Sequence, residues 1–424
     1  MVPNGWKSTR LNKIAETVTS GSRDWAQYYS ESGSKFIRMT NLPRDGIYLK
    51  LDDLKYVNVH SNSSDGKRTS LKEGDLLISI TAELGKIGWV PPELGEAYIN
   101  QHTALVRIKK ESADSKYIAY LLSSHAMNHK INRLNDSGAK AGLNLPTIRS
   151  IPIVLPPLPE QRKVAKILST WDKVITTTEM LIETSKQQKK ALMQQLLTGK
   201  NRLVNPETGK AFEGEWEEVK LASSVSLMRS GLSRKLESEN VGIAVLRSNN
   251  VGERYTSNED LKYWYLDDPQ GANVKNYILD EGDILVNFIN SLSQIGKTCI
   301  YKKTGDLNAI YTTNLLRLKP NTEAVTGDFL FYLTKTERYR NAVKSITKPA
   351  VNQASFTTKE FGKITFTLPA LKEQQKIASV LTAADKEIEV LQAKLAHFKQ
   401  EKKALMQQLL TGKRRVKVDE EVAA

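Results

Sequence analysis

The chain has a single cysteine, Cys299, among its 424 residues. One thiol excludes an internal disulfide framework and a thiolate metal site. Long apolar runs are also missing. No stretch reaches the ~18–20 residues needed to span a bilayer, and the opening segment MVPNGWKSTR lacks the apolar centre of a secretory leader. These absences point to a cytoplasmic chain with no membrane association. Catalytic signatures are missing as well: no glycine-rich cofactor loop, no helicase motif and no nuclease carboxylate cluster. Nor is there an Asp/Asn-Pro-Pro-aromatic tetrad of the kind that amino-methyltransferases place around an extruded base. The segment from Ser291 to Thr298 looks like the end of a phosphate-binding loop. Ser291 stands where the first glycine belongs, however, so the segment reads as a strand turn. His125 and His129 have zinc-like spacing on an expected helix, but no third ligand accompanies them, which suits a surface or packing role. The expectation is a chain with no catalytic residue, no cofactor and no metal.

What is present is positive charge. Lys and Arg exceed Asp and Glu to give a net +15, and 40% of the residues are apolar. The apolar share is enough for folded domains, and the length suits two to four of them. The charge favours a polyanionic partner, of which nucleic acid is the commonest.

The dominant feature is an internal repeat. The string ALMQQLLTGK occupies 191–200 and recurs without a change at 404–413. Upstream, LPPLPEQRKVAKIL (155–168) matches LPALKEQQKIASVL (368–381) at the same offset. The rest aligns more loosely: Trp6 with Trp216, Ser20-Gly21 with Ser230-Gly231, Gly74-Asp75 with Gly282-Asp283, and Gly85-Lys86 with Gly296-Lys297. TALVRIK (103–109) is set against TNLLRLK (313–319). The period is far longer than that of a solenoid, so the chain is a pair of duplicated domains. The linear order is a first domain at 1–155, a segment at 156–205, a second domain at 206–368 and a segment at 369–424.

Each repeated segment opens on prolines and a Glu-Gln pair and closes on Thr-Gly-Lys, the signals of a helix start and a helix stop. About 40 residues lie between, or roughly 60 Å of helix. A heptad seam runs through both, carried by Leu168, Trp171, Ile175 and Ile182 in the first and by Leu381, Ile388, Leu395 and Phe398 in the second. One such helix exposes an apolar stripe and needs a partner. The two should pair as an antiparallel coiled coil with pseudo-twofold symmetry, its register helped by the polar seam residues Thr178, Ser185 and Lys189.

The domains themselves read as α+β. In the first, DLLISI (75–80) and KIGWV (86–90) predict adjacent strands, YINQHTALVRIK (98–109) a further strand, and 115–134 a helix. The second repeats the pattern and ends on a helix near 328–346. Residues of the types that hold phosphates or read base edges are candidates for DNA contact. They are Arg23, Arg38, Asn41, Lys67, Arg68, Lys86, Gln101 and Lys140 in the first domain, and Arg234, Lys235, Arg247, Asn250, Asn290, Gln294, Lys297 and Lys348 in the second.

The twin ALMQQLLTGK tails and the paired LPPLPEQRKVAKIL and LPALKEQQKIASVL strings resemble the specificity (S) subunit family of Type I restriction-modification systems. The resemblance implies two mixed α/β target recognition domains, each followed by a long helix. Each domain would read one half of an asymmetric, bipartite site in double-stranded DNA, and the helices would set the gap. It also implies two docked methyltransferase (M) subunits and, through the complex, motor-nuclease (R) subunits. A free-standing DNA-binding regulator held together by its coiled coil is the alternative.

Overall fold

Both expected long helices form, and both have 39 residues: Leu158–Leu196 and Leu371–Leu409 in the computed structural model. At about 1.5 Å per residue each is about 58 Å long. The structure describes residues 2–418 apart from 24, 60–62, 135–141, 306 and 352. Both helices end on a glycine in the left-handed conformation, Gly199 and Gly412, each with φ of +70°, as the Thr-Gly-Lys signal predicts.

Packing does not follow the linear order of the segments. The chain divides into unit 1, Met1–Leu181 with Gln392–Ala424, and unit 2, Ile182–Leu391. Each unit therefore holds the beginning of one long helix and the end of the other. In unit 1 the rings of Trp171 and Phe398 meet at 6.0 Å. There too Lys399 pairs with Glu179 at 2.7 Å and Arg415 with Glu160 at 2.6 Å. Glu160 lies against Arg415 while Trp171 and Glu179 lie against Phe398 and Lys399, so the two segments run antiparallel. Unit 2 shows the same direction in Lys189 with Asp385 and Arg202 with Glu373.

Burial along the expected seam is graded. Leu168 and Leu381 are fully buried, Ile182 and Ile388 nearly so, and Trp171, Ile175, Leu395 and Phe398 are half-buried. Each fully buried leucine of this kind contributes roughly 1.5–3 kcal/mol. Lys189 and Lys402 occupy seam positions and reach Asp385 and Asp172, so the charge placed in the seam is paired.

In unit 1 a four-stranded sheet has the order Ala15–Ser20, Thr103–Ile108, Leu76–Ser79, Ile87–Trp89. A second has the order Tyr29–Ser30, Lys55–Val57, Ser34–Ile37, Ala97–Ile99. Unit 2 repeats the first sheet as Val225–Ser230, Leu315–Pro320, Ile284–Asn287, Thr298–Ile300. The parallel pair at the edge of the second sheet recurs as Ile243–Leu246 with Ala309–Tyr311. A two-stranded ribbon ties the start of each domain to its end: Lys7–Arg10 with Pro152–Leu155, and Glu217–Lys220 with Thr365–Leu368.

Three local expectations are corrected. The segment 98–109 is not one strand, because Asn100, Gln101 and His102 turn the chain from Ala97–Ile99 into Thr103–Ile108, which belong to different sheets. The helix expected over 115–134 is two, Ser115–Ser123 and His125–Arg133. Ser124 between them is extended, and its hydroxyl accepts from Met127 N–H as an N-cap. Thr336 does the same between Gly327–Leu333 and Glu337–Ile346. Last, the match of TALVRIK with TNLLRLK is out of register. Ser20 lies opposite Ala104 while Ser230 lies opposite Leu316, so Thr103 corresponds to Leu315 and not to Thr313. A slip of two residues keeps every side chain on its own face, which is why the strings still look alike.

Candidate nucleic-acid interface

The residues that match best between the copies are used to build the frame. Glu160 and Glu373, both almost completely buried, each accept two hydrogen bonds from an arginine beyond the end of the other helix, Arg415 and Arg202. The neighbouring glutamines repeat as well. Gln161 accepts from Asp114 N–H and donates to Pro156 O, while Gln374 accepts from Thr326 N–H and donates to Pro369 O. In each copy the glutamine joins the helix start to the preceding domain, while the glutamate takes the arginine that follows the other helix. Further in, Tyr120 donates to Asp172, which also takes Lys402, and Tyr332 donates to Asp385, which also takes Lys189. In unit 2 this network gains Arg254, which donates to Asp385, Asp328 and Thr382.

Several candidate DNA residues also serve the frame. Asn41 and Asn250 are buried. Each carboxamide accepts the N–H of its arginine, Arg38 or Arg247, and donates to two loop carbonyls. Arg38 and Arg247 in turn pair with Asp53 and Asp260 at 2.9 and 2.7 Å. Lys86 pairs with Glu83. Arg234 is held by Asp268, whose side chain is fully enclosed. That guanidinium, with N–H groups of Gln270, Ala272 and Trp264, keeps the Asp268 carboxyl well below the usual carboxylate range. Lys235, Lys297 and Lys348 are exposed, and Asn290 and Gln294 half-exposed. Lys140 lies outside the described residues.

Arg23, Arg68 and Gln101 are brought together. They line a polar cleft of about 710 Å³ in unit 1, with Ser20, Gly21, Ser22, Thr81 and His102 completing its wall. Arg68 and Lys67 project from the short helix Ser64–Thr69, which Ser63 caps by accepting from Gly66 N–H. Arg68 donates to Ser22 Oγ at 2.6 Å. The His102 ring is held at both nitrogens, by Thr81 Oγ1 at 2.8 Å and by Gln101 Nε2 at 3.2 Å. Gly21 is required because a Cβ there would lie 2.1 Å from the backbone of Asn100; at Gly231 it would lie 1.9 Å from Tyr311 O. His102, Thr81 and Ser22 escaped sequence reasoning because 98–109 reads as continuous strand, and only the turn at 100–102 puts His102 at a cleft.

Hydrogen-bond register identifies the same places in unit 2. Ile80 N–H donates to His102 O as Phe288 N–H does to Asn314 O, and Leu71 N–H to Ala97 O as Leu279 N–H does to Ala309 O. Ser22 bridges Asn100 as Leu232 bridges Thr312. Counting from these anchors, Ser22, Arg23, Arg68, Gln101 and His102 correspond to Leu232, Ser233, Asn276, Thr313 and Asn314. Ser20-Gly21 and Ser230-Gly231 are identical beneath them. The same backbone register thus recurs in both units, with different residues at the corresponding places.

Residues 3–186 and again 214–400 match the model of the Type I restriction modification DNA specificity domain. The chain belongs to that family. It is 26% identical to the Type I restriction enzyme MjaVIII specificity subunit of Methanocaldococcus jannaschii, covering 98% of this chain and 94% of that one. Over 198 residues the identity with a second specificity subunit of that archaeon, MjaX, is 31%; the match spans 46% of each chain. In fold, it is similar to the S subunit of a Type I restriction-modification system from M. genitalium. The TM-score is 0.59 at 13% identity, over 96% of this chain and 97% of that one. The two mixed α/β domains and the long helices are thus features of the family, and the relatives are named as specificity subunits, not as catalytic ones.

Proposed function

We propose that this specificity-domain chain chooses the DNA on which a Type I restriction-modification complex acts and performs no chemistry itself. Unit 1 reads one half of an asymmetric bipartite site in double-stranded DNA, and unit 2 reads the other. The paired helices set the unread gap between the halves. Two methyltransferase subunits dock on the chain and supply adenine methylation, and motor-nuclease subunits join through the complex. The free-standing regulator gains no support from the relatives above.

The observation that carries this reading is the constant frame with unlike residues at corresponding places. Glu160 and Glu373, Asp172 and Asp385, and Gly21 and Gly231 keep the same duties in both copies. The five lining positions traced into unit 2, those of Ser22, Arg23, Arg68, Gln101 and His102, all differ. A protein that reads two different half-sites needs that division, because docking geometry must be shared while base contacts must not. The +15 charge suits the phosphate backbone.

The test is co-expression with the cognate methyltransferase subunits and genome-wide mapping of methylated adenines. The expected product is one bipartite motif with two unlike halves. A palindromic motif, or none, would overturn the reading.

A further inference from the structure

The turn that joins Ile284–Asn287 to Thr298–Ile300 in unit 2 is longer than its counterpart in unit 1. In unit 1, Ile80 N–H donates to His102 O and Gly85 N–H to Ser79 O; in unit 2, Phe288 N–H donates to Asn314 O and Gly296 N–H to Asn287 O. Five residue steps separate Ile80 from Gly85 and eight separate Phe288 from Gly296, so unit 2 has three extra residues here. The longer turn carries a short strand, Ile289–Asn290, which pairs with Ala354–Ser355, and that strand pairs in turn with Lys348–Pro349. Asn290 lies opposite Ala354, and Ala354 opposite Pro349. Leu292 and Val351 therefore both lie past the same end of this ribbon. Among the described residues they are the two most exposed large apolar side chains, at 69% and 99%. The root of the ribbon is packed: Ala354 and Phe356 are buried, and the Phe356 ring meets Phe288 at 6.1 Å and Phe361 at 4.7 Å.

Lysines flank this apolar end. Lys348 is on the ribbon itself, while Lys297 and Lys344 come from the turn and from the helix Glu337–Ile346; all three are exposed. Turn and helix touch at Gly296, where a Cβ would lie 2.7 Å from Val343 Cγ1. Glu360, within electrostatic reach of Lys348, pairs with Lys363 at 2.8 Å. An aliphatic tip set among cations suits a polyanion that offers an apolar group within reach. The major groove of DNA admits a two-stranded ribbon, and its apolar group is the C5-methyl of thymine. We infer that Leu292 and Val351, at the end of this ribbon, are specificity-determining residues that contact thymine methyl groups in the half-site read by unit 2. Lys297, Lys344 and Lys348 hold the flanking phosphates. This deepens the proposed function and rests on it. The packed root limits the freedom lost when the base is bound.

The experiment uses the full chain assembled with its methyltransferase subunits and compares wild type, Leu292→Ala and Val351→Ala. Both side chains are exposed, so both variants should fold, which circular dichroism checks. Once the motif is mapped, binding is measured on duplexes that carry it with thymines replaced one at a time by deoxyuridine, which removes only the methyl group. Wild type should lose ~3- to 5-fold in affinity at one or two thymines, all within one half-site. At those thymines Leu292→Ala or Val351→Ala should bind the thymine and deoxyuridine duplexes equally, with the other half-site unaffected.

If the two side chains act only as a wedge between base steps, both variants weaken binding while wild type ignores the loss of every methyl group. That result overturns the inference. A wild-type response to deoxyuridine that both variants keep in full overturns it too, because another element then reads the methyl group. Variants that bind every duplex as wild type does also overturn it, and leave the bipartite reading intact. A wild-type complex with no bipartite motif overturns both.

Discussion

Arg202 donates to both carboxylate oxygens of Glu373, at 2.6 and 2.7 Å, across 171 residues of chain. It follows one long helix, and Glu373 opens the other. Glu373 is 1% exposed, so the arginine is what makes burial of that charge tolerable. Arg415 and Glu160 repeat the arrangement in unit 1.

Removing Arg202 should therefore cost more than an ordinary surface ion pair. Arg202→Met leaves a buried carboxylate unpaired and should destabilise unit 2 by roughly 3 kcal/mol, read as a shift of its urea midpoint. Adding Glu373→Gln to that variant should restore part of the loss. If Arg202→Met leaves the midpoint unchanged, the pair does not hold the frame.

Asp268 gives a pH signature. Arg234 and the surrounding N–H groups hold its folded carboxyl below the usual carboxylate range. The folded state thus binds this proton less tightly than the unfolded chain does. Its contribution is present above the unfolded value of about 3.9 and is lost as pH falls below it. The difference between the denaturation midpoints of wild type and Asp268→Asn should be constant above about pH 5 and shrink progressively as pH falls below about 4. A difference that stays constant below about pH 4 would contradict the assignment.

Cys299 sits fully buried in the strand Thr298–Ile300, and burial pushes its thiol up to about 12. It is the chain's sole thiol. An aromatic disulfide reagent should label the native chain more than about 100-fold more slowly than the urea-unfolded chain, so that labelling reports the opening of unit 2. Rapid labelling of the native protein would show that this strand opens freely.

The gap-setting role of the helices has a length scale. Seven residues inserted after Leu181 and seven after Leu391 keep the heptad phase and add ~10 Å, which is about three base pairs of B-DNA. Methylation mapping of the double insertion should give the same half-sites with a gap about three base pairs longer. An altered half-site with the original gap would refute the ruler.

Legibility varied with how locally each feature is specified. The helices were readable because heptads, prolines and Gly199 or Gly412 are local signals with fixed spacing. The antiparallel pairing was readable too, since two apolar stripes in one chain need each other. The breaks at Ser124 and Thr336 were missed, because N-cap residues inside an otherwise helical pattern resemble ordinary helix-surface residues. The strand register was missed because a two-residue slip preserves the alternation that the eye follows. Among the candidate DNA residues, chemical type could not separate Gln101, which lines a cleft, from Arg234, which is locked to Asp268.

By itself, the sequence determined the duplication, the two long helices, their seam and the absence of a recognisable catalytic motif. Each of these depends on periodicity or on a short string read within a few residues. Only the tertiary structure decided that the compact units share the helices between them, that Glu160 and Glu373 are buried partners of distant arginines, and that Ser22, Arg68, Gln101 and His102 form one wall. Those residues lie up to 80 positions apart, and what brings them together is sheet register and the close passage of Gly21 past Asn100. Backbone geometry of that kind is set by the packing of the whole unit.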